Sequence, residues 1–361
     1  MKKDVMKYLE KKDATIKELT LTNFNIKEIP DLSQFINLEV LNLSNNEIVK
    51  IENIPQTVHT LIISNNKIEK LINVPLNIKI LFINNNLLNE INIIESNIEK
   101  LYCNKNKLIS INYSNKLTVL SCLYNKITNL DNLPNTIIDC NCSHNKIKYF
   151  TNLPESLVYF NCSYNQLFIF EQIPQNIKIL NIINNKIIEL NNLSSNLIEL
   201  YCSNNKIKNI ILPENLILFN GSYNNLVSLN VNNKLETLII EYNNLEELPF
   251  LSDSLILLNC CANKIKNIIL PLNLKELYCD YCEELSKIYF NDNLKILSCD
   301  YTLIDNLDEI PEIITEISCK YTKITKLNNI PNSLKYLNIF GNIFSDNDIK
   351  YFDLNIYDFT F

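Results

Sequence analysis

The sequence predicts a solenoid, an array of short coils stacked side by side with one strand per coil. Three observations carry the prediction. An apolar pattern, LxxLxLxxN, recurs at intervals of 19, 20 or, once, 22 residues through most of the 361-residue chain. An asparagine falls at the same place in most copies, and a proline returns near the end of nine of them. Self-similarity at this period marks units that bury their apolar faces only against their neighbours.

The strand comes first in each unit. Leu38, Leu41, Leu43, Asn46 and Ile48 form one copy, and Val58, Leu61, Ile63, Asn66 and Ile68 the next. The first apolar residue then recurs at 78, 98, 117, 137, 157, 177, 197, 216, 235, 255, 274, 294, 314 and 334; a weaker copy opens the series at Ile16, Leu19 and Leu21, making 17. Strand alternation sends the second and third apolar residues inward and the residue between them outward.

The asparagine turn follows. Asn46, Asn66, Asn86, Asn106, Asn125, Asn145, Asn165, Asn185, Asn205, Asn224, Asn243, Asn263 and Asn342 occupy one equivalent position, with Phe24, Cys282, Thr302 and Thr322 as exceptions. An amide side chain both donates and accepts. It therefore bridges backbone groups of adjacent coils that would otherwise be buried unpaired, each bond contributing about 1 kcal/mol net. These asparagines are read as structural.

The return segment carries further apolar pairs, such as Ile51 and Ile54 or Leu130 and Leu133, and then the proline: Pro55, Pro75, Pro134, Pro154, Pro174, Pro213, Pro271, Pro311 and Pro331. Proline removes an amide donor and favours extended geometry. So short a unit also leaves too little chain for a helix, so the return side is expected to be extended or 3₁₀. Terminal coils need covers. Residues 1–15 are read as an N-terminal cap, with Val5, Met6 and Leu9 on one face of a short helix. Residues 345–361 are read as a C-terminal cap, in which Ser345–Asp348 start a helix carrying Ile349, Phe352 and Leu354. Nothing in composition interrupts the array over 16–344, which is read as one domain.

These residues resemble the leucine-rich repeat family over roughly 16–344. The resemblance implies a right-handed superhelix with parallel strands on its concave face, and cysteine and threonine are familiar substitutes in its asparagine column. The short proline-containing unit, with consensus LxxLxLxxNxIxxIxNIPxx, is similar to the bacterial effector subclass, the YopM and IpaH type. Members of that subclass with ligase activity append a separate catalytic domain; 17 residues follow Phe344, so that activity is not carried over. Residues 38–54 also resemble the regulatory repeat subunit of phosphatase 1.

Composition narrows the function classes. The chain has 63 Asn, no Arg, no Trp, two Gly, two Ala and two His, with a net charge of −7. Such a balance lacks the basic footprint of a nucleic-acid binder, and two glycines provide no phosphate loop. No apolar run is long enough to span a membrane, and charges stand where a signal peptide needs its apolar stretch. A soluble, cytoplasmic protein is expected. Excess Asn, Ile and Lys is what AT-rich codons yield; that bias resembles proteins of amoebal giant viruses and equally fits AT-rich protists.

Nine of twelve cysteines (Cys103, Cys122, Cys142, Cys162, Cys202, Cys260, Cys279, Cys299 and Cys319) fall at the third inward strand position. Free cysteine packs as a small apolar residue, and adjacent strands about 4.8 Å apart hold in-register Cβ atoms too far apart for a disulfide. These are read as core filler in a reducing setting. The segment Asp139-Cys140-Asn141-Cys142-Ser143-His144 alternates Cys140 and Cys142 inward and Asp139, Asn141 and Ser143 outward, so no nucleophile meets a base. Cys279 and Cys282 lack a second ligand pair for zinc, and His59 and His144 lie about 19 Å apart at the strand spacing. No catalytic residue, metal or cofactor is assigned.

Function is therefore sought on the outward face of the strands. Ile62, Ile80, Phe82 and Tyr102 lie on adjacent coils as one apolar patch; Tyr159, Tyr201 and Tyr336 add exposed aromatics. Glu276, Tyr278, Asp280, Asp300 and Glu316 form an acidic zone suited to a basic partner segment. Exposed apolar side chains on a polar background are what a protein-binding surface needs. Tyr223, Tyr242, Tyr281, Tyr301 and Tyr321 form a further column after the strand, read as a stacked ladder. The expected function is a non-enzymatic protein-interaction scaffold. The alternatives are a regulatory subunit of a phosphatase or ubiquitin ligase, and a structural, particle-associated component. The oligomeric state is left open.

Overall fold

The computed structural model describes residues 2–72, 74–171, 173–327, 330–343 and 359–360. Its coils fall into two compact units, residues 1–177 and 178–361.

In the first unit the strands are Glu18–Thr20, Val40–Asn42, Thr60–Ile62, Ile80–Phe82, Lys100–Tyr102, Val119–Ser121, Asp139–Asn141 and Tyr159–Asn161. They pair in parallel without a slip, so Leu19, Leu41, Leu61, Leu81, Leu101, Leu120, Cys140 and Phe160 form one buried column. The second unit repeats the arrangement with Ile179–Asn181, Glu199–Tyr201, Leu218–Asn220, Thr237–Ile239, Leu257–Asn259, Glu276–Tyr278, Ile296–Ser298, Glu316–Ser318 and Tyr336–Asn338. Each strand is only three residues long because its middle side chain and the next inward one must both reach a narrow core before the chain turns.

Two consecutive amides before most strands donate to a single carbonyl of the preceding coil. Glu39 N and Val40 N meet Lys17 O at 2.7 and 2.9 Å; Ile217 N and Leu218 N meet Ile198 O at 2.9 and 3.2 Å. This bulge-like start leaves two successive side chains outside the core, which widens the outer face by one column.

The asparagine column does what its chemistry demands. Asn66 Oδ1 accepts from Ile48 N at 2.9 Å, while its Nδ2 donates to Leu43 O of the preceding coil at 3.0 Å and to Ile63 O of its own at 3.1 Å. Asn145 and Asn243 repeat the same three bonds. In the first coil, Phe24 N and Ile26 N both donate to Asn46 Oδ1, so Phe24 needs no amide of its own there.

The return side is extended. Proline carbonyls close turns into the next coil, as in Val58 N to Pro55 O at 3.1 Å and Ile137 N to Pro134 O at 3.0 Å. Two-stranded parallel ladders also appear on this side: Glu90–Asn92 with Ser110–Asn112 in the first unit, and Asn209–Ile211 with Ser228–Asn230 and Asn267–Ile269 with Lys287–Tyr289 in the second. The N-terminal helix spans Lys2–Leu9; Val5 and Leu9 are buried, but Met6 is half-exposed because it lies one step round the helix from them. Tyr8 packs against Phe24 with ring centroids 5.3 Å apart. Ser345–Asp348, Ile349, Phe352 and Leu354 lie outside the described residues, beyond which Phe359–Thr360 pairs in parallel with Leu337 and Asn338.

Candidate interaction surface

The first predicted patch comes together in the first unit. Sheet register sets Ile62 beside Phe82 and Phe82 beside Tyr102. Their rings stack, with centroids 4.4 Å apart and planes within 4°. Ile80 continues the patch on the strand of Phe82. All four are half-buried. A row of charges borders them at the strand starts: Lys17 to Glu39 at 2.8 Å, His59 to Glu39 at 3.6 Å and Lys79 to Glu99 at 3.3 Å. Tyr159 is exposed farther along the face.

In the second unit the predicted residues divide into two groups. Glu276, Ile296, Glu316 and Tyr336 are register neighbours on the outer face. The Tyr201 hydroxyl donates to Glu199 Oε2 at 2.8 Å, and burial together with that carboxylate pushes the phenol up to about 12. The Tyr278 hydroxyl donates to Glu276 Oε2 at 3.3 Å, and burial with that carboxylate raises its phenol. Asp280 and Asp300, by contrast, are engaged in the scaffold. Asp280 Oδ1 accepts from Ser298 Oγ and Asp300 N, both at 2.7 Å. Asp300 is buried; its Oδ1 accepts from Ser318 Oγ at 2.8 Å and Lys320 N at 2.7 Å, and its Oδ2 pairs with Lys320 Nζ at 2.9 Å. Asn104 makes the equivalent pair of bonds to Ser121 Oγ and Leu123 N in the first unit. At Asn104, Asp280 and Asp300, the position two residues after the strand thus ties its coil to the next.

Sequence reading missed a second apolar patch. Ile198, Ile217, Leu218, Ile239, Ile256 and Leu257 occupy consecutive coils on the outer face, none of them fully buried. Three of them precede a strand and point outward only because of the paired-amide start. A column aligned at the residue before each strand would have found them.

The column after the strand is stacked. Tyr223 and Tyr242 lie 4.4 Å apart, and Tyr281, Tyr301 and Tyr321 follow at 4.7 Å each. Tyr124, His144 and Tyr164 form the same stack in the first unit at 4.0 and 4.2 Å; burial between the rings holds the imidazole below its ordinary value. All of these residues have φ between 51° and 57°, a left-handed conformation unfavourable for bulky side chains, and stacking offsets part of that cost.

The segment around His144 is not a catalytic cluster. Cys140 and Cys142 face the core as expected, but Ser143, expected outward, is buried; its hydroxyl bonds to Asn141 Oδ1 at 2.8 Å under the next coil. All twelve cysteines are buried, and none is in a disulfide. Burial pushes the thiols of Cys122, Cys142 and Cys299 far up and that of Cys319 to about 12. Cys261 Sγ comes within 3.7 Å of Asp280 Oδ2, yet burial raises both groups. Such thiols are poor nucleophiles at neutral pH. Among the described residues no three His, Cys, Asp or Glu side chains are grouped to hold a metal ion, and no helix is long and apolar enough to cross a membrane.

No protein-family profile and no curated protein sequence matches the chain. Solved structures do. YopM from Yersinia enterocolitica is 26% identical, with a TM-score of 0.80 over 91% of this chain and 79% of that one. A leucine-rich repeat protein of Leptospira interrogans is 19% identical, with a TM-score of 0.73 over 99% of this chain and 98% of that one. The functional domain of InlJ from Listeria monocytogenes, which includes a cysteine ladder, is 21% identical, with a TM-score of 0.63 over 92% of this chain and 69% of that one. With its parallel strands, asparagine ladder and proline-closed coils, the chain has the leucine-rich repeat fold.

Proposed function

We propose that the chain is a non-enzymatic protein-interaction scaffold of the cytoplasm that binds a partner protein on the outer face of its strands. The observation that carries this reading is the stacked Phe82–Tyr102 pair with Ile62 and Ile80: four apolar side chains on adjacent strands that the core does not enclose. Large exposed aromatics are the residues that anchor partners at interfaces. Buried, free thiols suit a reducing compartment.

The test is affinity capture from cell lysate with the native chain and with a Phe82→Ser, Tyr102→Ser variant whose sheet is verified by circular dichroism. A protein retained by the first and lost by the second supports the scaffold. Identical recoveries would remove this patch as the site. Co-purifying phosphatase or ubiquitin-ligase activity would instead define a regulatory subunit, and self-association without a partner would favour a structural component.

A further inference from the structure

We infer that the second apolar patch is a separate docking surface for a cationic amphipathic segment of a partner protein. The inference rests on the reading of the strand face as an interaction surface and adds both a position and a chemistry to it. Ile198, Ile217, Leu218, Ile239, Ile256 and Leu257 cover four consecutive coils, about 14 Å at the spacing of parallel strands. Ile217 is exposed and the other five are half-buried, while the core is filled by their inward neighbours Leu200, Phe219, Leu238 and Leu258.

Charge selects the occupant. Over these coils and the one on either side, the outer columns carry Glu199, Glu236, Glu241 and Glu276 against Lys178 and Lys275. Four carboxylates against two lysines around an apolar centre disfavour an acidic or neutral polar segment through like charge and desolvation. They favour one whose aliphatic or aromatic side chains fill the centre while lysine or arginine reaches the border. The first patch differs, for its bordering acids Glu39 and Glu99 are already paired with Lys17 and Lys79. In the second patch, Glu199 and Glu276 accept from the hydroxyls of Tyr201 and Tyr278, and among the described residues neither is in an ion pair.

The experiment uses the full chain and two fluorescent synthetic peptides, one alternating leucine with lysine and the other leucine with glutamate, read by anisotropy. The lysine peptide is expected to bind and the glutamate peptide not. A Glu236→Lys, Glu276→Lys variant should weaken the lysine peptide by about tenfold or more. A Glu246→Lys, Glu247→Lys variant has the same net charge, but its changes lie after the asparagine turn, away from the patch, and it should bind as the native chain does. A Leu218→Ser, Leu257→Ser variant should also lose binding. Equal weakening by both charge variants would show attraction to the whole acidic chain and overturn the proposal, as would binding of the glutamate peptide or binding indifferent to Leu218 and Leu257. The Phe82→Ser, Tyr102→Ser variant separates the two readings. If it abolishes capture of a partner while the peptide result is negative, the scaffold stands and this surface falls. If peptide binding holds and capture is indifferent to both patches, the scaffold falls.

Discussion

Residue 221 is glycine because the ring of Phe219 occupies the space a side chain there would need. A Cβ on Gly221 would fall 2.5 Å from Phe219 Cζ and 2.7 Å from Cε1, whereas the same column holds Cys202 and Ile240 in the flanking coils. Gly221→Ala is therefore expected to cost about 1–3 kcal/mol through overpacking. Phe219→Leu on its own leaves a cavity and also destabilises. Together the two changes should cost clearly less than their sum, as contacting residues do. Urea denaturation of the four chains measures the coupling, and simple additivity would show that something other than the ring keeps residue 221 bare.

The asparagine ladder has a break that one substitution repairs. At Cys282 the donor half is kept, since its Sγ bonds to Cys260 O at 3.3 Å, but sulfur is a weak acceptor for the backbone amide that an asparagine oxygen takes elsewhere. Cys282→Asn should raise the denaturation midpoint by the equivalent of about 1 kcal/mol. Asn145→Ala, which strips partners from Ile127 N, Cys122 O and Cys142 O, should lower it by at least about 2 kcal/mol. A less stable Cys282→Asn chain would mean that the packing of the thiol outweighs the missing acceptor.

Tyr113 carries a buried hydroxyl without a hydrogen-bond partner, set among core thiols that include Cys122 and Cys140, and burial pushes the phenol well above its ordinary value. Removing an unsatisfied buried donor while keeping the ring relieves a desolvation cost. Tyr113→Phe is expected to melt at or above the native temperature. A clear drop in Tm would reveal that the hydroxyl is bonded in solution.

The fold was legible because a solenoid repeats its core in the sequence itself. Each of Leu41, Leu61 and Leu81 meets its counterpart one period on, so the period alone sets the register. The stacked patch of Phe82 and Tyr102 was readable for the same reason. What failed to show was whatever depends on hydrogen bonds between coils. Simple alternation places Asp280, Asp300 and Ser143 outside, yet each is drawn in by a bond to its own or the next coil. Ile198, Ile217 and Ile256 stay outside because two amides share one carbonyl, a backbone detail that no side-chain pattern announces. The stack through Tyr124, His144 and Tyr164 was hidden by the mixed chemistry of its column, where Asn, Lys and Ala also occur.

Asp280 gives the chain a pH dependence whose sign follows from its surroundings. Burial raises its carboxyl above the ordinary 3.8, outweighing the lowering bonds from Ser298 and Asp300. A carboxyl with a raised value binds its proton more readily folded than unfolded, so its ionised form weighs against the fold. That burden is full at neutral pH and is relieved as pH falls through the folded value toward 3.8. Asn104 holds the equivalent position in the first unit with the same two acceptor bonds and no charge. Asp280→Asn should therefore denature at a higher urea concentration than the native chain at neutral pH, with the advantage shrinking toward about pH 4, where carboxylates begin to protonate. All other titrating groups are common to both chains, so the difference between them isolates this one. A variant less stable at neutral pH would show that the carboxylate is held there by favourable charge, not tolerated for its geometry.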